Sequence, residues 1–192
     1  MTNNTPRCFW TGDDPQMIAY HDHEWGDPVH EDRKLFEYLI LDAFQAGLSW
    51  RTILHKRLNF RRAFDNWDAE KIANYSNADR ARLLQDAGII RNKLKINAAI
   101  SNARCFLDVQ QEFGSFDKYI WQFTNYQTMR NPVGVTRDSM PTSTPESDSM
   151  SKDMKKRGFK FVGTTICYAF MQAIGMVDDH VVGCFKFQGT SK

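Results

Sequence analysis

Several features that would place this chain in a class at once are scarce. No apolar run approaches the roughly 18 residues needed to cross a bilayer, and charges interrupt the 42% hydrophobic residues along all 192 positions. The opening segment, Met1-Thr-Asn-Asn-Thr-Pro-Arg7, lacks a basic stretch followed by an apolar one. No secretory signal is therefore expected, and the location expected is cytoplasmic. Cysteine is limited to 4 residues, too few for a disulfide scaffold, and a reducing cytosol disfavours pairing them. Alternating strand patterns are nearly missing, Phe159-Lys-Phe161 being the one hint. No repeat of solenoid period occurs. What remains is enough apolar material for one packed domain.

Charge is present but segregated. Residues 1–50 carry 3 Lys/Arg against 9 Asp/Glu, and residues 51–104 carry 12 against 5. Residues 105–150 then carry 3 against 6, and residues 151–192 carry 7 against 3. A net charge of +2 thus hides two basic blocks, which are either solvated helix faces or a surface for a polyanion.

Helical periodicity dominates. Glu31 to Gln45 places Leu35, Tyr38, Leu39, Leu41 and Ala43 on one broad stripe behind an acidic start, which suits the helix dipole. Ser49 is an N-cap for a helix through Phe64, and Asp68 caps another. Asn77 to Gln85 reads as a short helix closed by Gly88, and Lys93 to Val109 as a long one. Phe116 to Phe123, Ser149 to Arg157 and Thr164 to Ile174 complete the set, the last two stopped by Gly158 and Gly175. Residues 125–147, with Pro132, Pro141 and Pro145, read as a long irregular crossing. The expected fold is all-α with room for one short β element.

Chemistry concentrates in a few places. Cys105 and Cys167 sit in apolar helical runs and read as small buried hydrophobes. Cys8 and Cys184 lie near opposite ends, each with a histidine nearby as Cys8-x12-His21 and His180-x3-Cys184. On a helix the second pair would share one face. Two thiolates and two imidazoles would give zinc a closed tetrahedral shell. A disulfide, a Cys–His nucleophilic pair or unrelated surface residues are the other readings. His23, His30 and His55 read as surface residues.

Trp10, Tyr20, Trp25 and Trp50 cluster early. Such rings fill a core or wall a slot for a flat base, which they favour further if it is cationic. Asp42 interrupts the apolar run Tyr38-Leu-Ile-Leu-Asp-Ala-Phe44, and a carboxylate near a buried stripe needs a partner or a purpose. Leu83 to Ile96 reads as helix, Gly-centred turn, helix. Its backbone N–H groups, with Arg91, Lys93 and Lys95 beside them, are suited to a phosphate.

Together these pieces resemble the bacterial 3-methyladenine DNA glycosylase I family of helix-hairpin-helix repair enzymes. The matching stretches include Arg7-Cys-Phe-Trp10, Ile18-Ala-Tyr-His-Asp-His-Glu-Trp-Gly26, Gln45-Ala-Gly-Leu-Ser-Trp50, Gln85-Asp-Ala-Gly-Ile-Ile-Arg91 and Pro141-Thr-Ser-Thr144. Lys155-Lys-Arg-Gly-Phe-Lys-Phe-Val-Gly-Thr-Thr-Ile-Cys-Tyr168 and Asp179-His-Val-Val-Gly-Cys184 extend the match.

The resemblance implies one glycosylase domain over residues 1–192, with a helix-hairpin-helix lobe at about 50–115 and a zinc-stapled lobe from 1–49 and 116–192. It implies a structural Zn2+ on Cys8, His21, His180 and Cys184, and excision of 3-methyladenine from double-stranded DNA by a monomer. Trp10, Tyr20, Trp25 and Trp50 become walls of the base pocket. Gly47 and Leu48 fill the gap left in the duplex, while Gly88, Arg91, Lys93, Lys155, Lys156 and Arg157 hold its backbone.

Four pocket positions depart from the family: Asp42 stands where it has glutamate, Phe44 where it has glutamine, Met17 where it has tyrosine and Ala169 where it has serine. Asp42 is still expected to be the catalytic carboxylate. A pocket with fewer hydrogen-bonding groups discriminates less sharply among bases. Asp108 and Asp117 lie beyond the hairpin, where related enzymes carry a catalytic aspartate, but no motif supports either.

Overall fold

The computed structural model describes residues 5–189. Its helices are α1 (Pro15–His23), α2 (Asp32–Gln45), α3 (Trp50–Ala63), α4 (Ala69–Ala73), α5 (Asn77–Gln85), α6 (Lys93–Phe113), α7 (Phe116–Trp121), α8 (Pro145–Lys156) and α9 (Thr164–Ala173). Two short strands, β1 (Met129–Arg130) and β2 (Val177–Asp178), pair in parallel with Met129 opposite Val177. The all-α expectation holds with that small exception. Among the described residues no helix is long and apolar enough to cross a membrane.

The core is organised around α2. Every residue from Leu35 to Phe44 is buried, so this helix runs through the middle of the molecule rather than along its surface. Helix α3 packs on one side of it and α6, α7 and α9 on others. A single apolar cluster runs from Cys8 to Cys184, so both ends of the chain share one core.

Local chemistry sets the element ends. Glu31 caps α2 by accepting from the N–H groups of Arg33 and Lys34, and Ser49 caps α3 through Thr52. Several boundaries differ from the sequence reading. Helix α1 was not expected: Asp14 caps it and Pro15 starts it. Helix α8 begins at Pro145 rather than Ser149, behind a Thr144–Ser147 capping box. Proline marks loops in a sequence but also fits the first turn of a helix, where its missing N–H is no loss. Helix α6 continues to Phe113 and stops where Gly114 turns left-handed. Gly88 does not cap α5, because Asp86 takes that place. Phe159–Phe161 forms no strand.

Candidate base pocket and thiol–imidazole cluster

Four helices and the segments carrying Trp10, Trp25 and Met140 converge on a cavity of about 490 Å³. Helix α1 contributes Met17 and Tyr20, one turn apart; α2 contributes Asp42 and Gln45; α9 contributes Ala169 and Gln172. In each pair the i, i+3 spacing of a helix puts both side chains on the cavity face. Trp50 and Arg51, at the start of α3, form a further wall with Trp10 and Trp25. Met140 reaches in from the long crossing between β1 and α8.

The aromatic walls lie tilted or edge to face. Trp10 meets Trp25 at 5.0 Å between ring centroids and an interplanar angle of 70°, and Tyr20 meets Trp50 at 5.1 Å and 45°. A ring inserted between two parallel walls needs roughly 7 Å, twice the carbon contact distance. The Trp10–Trp25 and Tyr20–Trp50 pairs are both closer than that, so neither can sandwich a flat guest between its own two rings.

Asp42 is the only carboxylate that lines the cavity among the described residues. It is buried, and its Oδ2 has no hydrogen-bond partner. Burial pushes its carboxyl well above the usual carboxylate range, and the Arg57 guanidinium opposes that rise. The indole Nε1 of Trp50 is likewise buried without a partner. An unpaired acceptor and an unpaired donor in one apolar cavity are costly unless something else satisfies them.

Three of the surrounding elements are braced by a buried ion cluster. Arg57 of α3 donates to Glu37 of α2 at 2.7 Å and to both oxygens of Glu24, just past α1, at 2.9 Å. Tyr38 donates its hydroxyl to Glu24 at 2.7 Å, and Arg61 adds contacts to Glu37. Breaking one partner of such a cluster leaves uncompensated buried charge.

Of the residues singled out from the sequence, Trp10, Met17, Tyr20, Trp25, Asp42, Trp50 and Ala169 all line this cavity. Phe44 does not. Its ring turns into the core against Phe60 and Phe64, 4.7 and 5.9 Å away; two positions after Asp42, the helix has rotated it to the opposite side. Gln45 and Gln172 were missed, although each lies one turn beyond a residue already suspected. Asp108 and Asp117 are absent from the cavity, and Asp117 instead holds His30 at 2.7 Å. His55 likewise pairs with Asp14 at 2.7 Å.

The second cluster joins the chain ends. Donor atoms of Cys8, His21 and Cys184 all lie within 4.8 Å of one another. His21 Nε2 is 3.3 Å from Cys184 Sγ, a spacing suited to two donors around one tetrahedral ion. Asp22 sits 2.8 Å from His21 Nδ1, and Asp178 sits 2.7 Å from His180 Nδ1. Each carboxylate fixes its imidazole with the Nε2 lone pair turned away. His180 Nε2 is buried with no partner, its ring 5.1 Å from that of His21. Cys8, His21 and Cys184 thus form a three-donor group able to hold a metal, with the His180 ring standing beside it. Their arrangement departs from the i, i+4 reading: His180 follows β2 and Cys184 ends a turn, with no helix between them. Gly26 makes room, since a Cβ there would stand 2.7 Å from the His180 ring.

The Gly47-Leu48 turn is exposed between α2 and α3. In the α5–α6 turn, Lys56 and Asn59 of α3 hold the Ala87 and Gly88 carbonyls. The Gly88 N–H is taken by Asp86 at 2.7 Å, so it is not free for a phosphate, whereas the N–H groups of Ile90 and Arg91 have no acceptor among the described residues. Arg91, Lys93, Lys155 and Lys156 are exposed. Arg157 is not available in that way: Glu112 and Asp153 hold its guanidinium at 2.6 and 2.7 Å.

This architecture, with an aromatic cavity at its centre, has close parallels. Residues 10–187 match the family described as methyladenine glycosylase. DNA-3-methyladenine glycosylase 1 of Escherichia coli (strain K12) is 52% identical over 183 residues, covering 95% of this chain and 97% of that one. A crystal structure of 3-methyladenine DNA glycosylase I superposes with a TM-score of 0.91, at 52% identity, over 94% of this chain and 98% of its own. A variant of 3-methyladenine DNA glycosylase I, solved in complex with 3-methyladenine, gives 0.89 at 32% identity over 93% and 96%. The chain is a member of the methyladenine glycosylase family.

Proposed function

We propose that the protein is a DNA repair glycosylase that everts 3-methyladenine from alkylated double-stranded DNA and hydrolyses its N-glycosidic bond. The observation that carries this reading is the buried Asp42 carboxyl, whose Oδ2 has no partner, on the wall of an aromatic cavity of about 490 Å³. That combination suits a flat, cationic ring with a polar edge.

The alkylated base carries positive charge while still attached to the sugar. When its bond to C1′ breaks, the bonding electron pair goes to the base and cancels that charge. The base leaves neutral, with no proton supplied by the enzyme. Water oxygen bonds to C1′ and gives up a proton, leaving an abasic sugar. The protein's part is selection and positioning. Aromatic faces hold the ring, and the cationic base offsets the burial that keeps Asp42 protonated, favouring a carboxylate at the base's polar edge. Trp50 Nε1, Gln45, Ser49, Arg51 and Gln172 are other polar groups on the cavity wall. Met17 and Ala169 offer no hydrogen bond, which favours a broader range of excised bases than a more polar wall would give.

The α5–α6 pair acts as the helix-hairpin-helix. Its Ile90 and Arg91 amides, with Arg91 and Lys93, meet backbone phosphates; Lys155 and Lys156 add charge, and Leu48 fills the gap in the duplex. Cys8, His21, His180 and Cys184 hold a structural Zn2+, supported by the unpartnered His180 Nε2. A closed four-donor shell leaves no position for water, so the ion staples the chain ends of the 1–49 and 116–192 lobe and takes no part in hydrolysis. The test is to incubate the protein with methylated duplex DNA and identify released bases by chromatography. Release of 3-methyladenine is expected; salt-sensitive DNA binding without release would mark a damage-binding protein instead.

A further inference from the structure

Helix α2 ends at Gln45, and the chain turns through Ala46-Gly47-Leu48 to Ser49, the cap of α3. Carbonyls at the end of a helix have no partner within it. Here Lys95, in the first turn of α6, reaches them from some fifty positions away. Its Nζ donates to Phe44 O at 2.7 Å and to Ala46 O at 2.6 Å. Lys95 is 7% exposed and meets no carboxylate among the described residues. A cation at this end of a helix also meets the negative end of its dipole. The sequence reading grouped Lys95 with the outward phosphate contacts; the structure turns it inward.

The first turn of α6 therefore faces two ways. Lys93 points to solvent, following Arg91 and the unpaired hairpin amides. Lys95 grips the segment that follows Asp42, carries exposed Leu48 and leads into Trp50. Helix α2 alone does not hold that segment: Gly47 is left-handed with no atom within 4 Å of where a Cβ would stand, and the Leu48 N–H bonds only locally, to Gln45 O.

We propose that Lys95 is a positioning residue, whose ammonium locks the Ala46–Leu48 turn to the hairpin helix so that Leu48 enters the duplex in register with the hairpin's grip on the backbone. The proposal rests on the glycosylase reading above and assigns Lys95 a role in base eversion, distinct from binding the everted base.

The full-length wild type and Lys95→Met are compared on methylated duplex DNA and in binding free 3-methyladenine, followed by tryptophan fluorescence. Losing a charge-assisted contact of this kind is expected to lower kcat/KM on the duplex about tenfold to a hundredfold. The Kd for the free base should stay within about twofold, because the cavity walls are untouched. In a Leu48→Ala background the same substitution should cost less than about threefold, since both residues act through one step. Duplex excision within about twofold of wild type, or penalties that simply multiply, overturns the proposal. So does loss of helical circular dichroism, or of free-base binding in step with excision, since either assigns Lys95 to the fold alone. A wild type that releases no base sinks the glycosylase reading and this inference with it; an active wild type with an unaffected variant sinks only the inference.

Discussion

Tyr20 and Trp50 face each other at 5.1 Å between ring centroids, tilted by 45°, across a cavity in which Asp42 Oδ2 has no partner. They are too close to sandwich a base, so one ring must supply the stacking face. Trp50 sits at the free start of α3 and is only half-buried, whereas Tyr20 is buried. Trp50→Ala should therefore weaken binding of free 3-methyladenine by about fivefold to 150-fold, in line with 1–3 kcal/mol for a base–aromatic stack. Isothermal titration of wild type and variant checks this.

Asp42 makes stability depend on pH in an unusual direction. Burial raises its folded-state pKa above the unfolded value, so the folded chain binds the extra proton and stability falls as pH climbs from the unfolded pKa through the folded one. Asp42→Asn cannot ionise and should escape that loss. Toward pH 8 the variant is expected to melt above wild type, by roughly 2–4 °C for each kcal/mol relieved. The difference should vanish as pH falls below the unfolded pKa of about 3.9, where the aspartate is neutral in both states. Scanning calorimetry across that range is the check. The same variant should lose excision, because a neutral amide cannot complement a cationic base.

About one zinc ion per chain is expected in protein prepared without chelator. Removing it should lower the melting temperature before it alters binding of the free base, because metal binding and folding are coupled. Gly26→Ala tests the same site from the backbone side. Its φ of +80° and the 2.7 Å approach to His180 leave no place for a methyl group. A loss of at least about 1–2 kcal/mol and weaker zinc retention should follow, measured by denaturant unfolding and metal analysis.

The exposed cations should separate from the paired one. Arg91→Ala and Lys93→Ala should each reduce the slope of log Kd against log salt by about 1. Arg157→Ala should leave that slope unchanged, since Glu112 and Asp153 already hold the guanidinium. Its effect belongs in the melting temperature.

Much of this was legible along the chain. Helix stripes, caps and stop glycines placed α2 through α7 and α9, because those signals are local. Cys8, His21 and Cys184 do come together in one group, although the turn that delivers Cys184 carries no local signature. Phe44 was misplaced for a reason of geometry: beside Asp42 in sequence, it is carried by the helix to the opposite face, against Phe60. Lys95 and Arg157 were read as surface charge, since only tertiary packing brings Lys95 to the Phe44 carbonyl and Arg157 to Glu112. The Arg57–Glu24–Glu37 cluster left no trace either, its members lying 13 to 33 positions apart.

The most direct test is a crystal structure of the chain with free 3-methyladenine bound. The purine should lie against Trp50 with the Asp42 carboxyl within about 2.6–3.2 Å of its polar edge, as hydrogen bonding requires. A base seated elsewhere, or one in the cavity with Asp42 still unpartnered, contradicts the account.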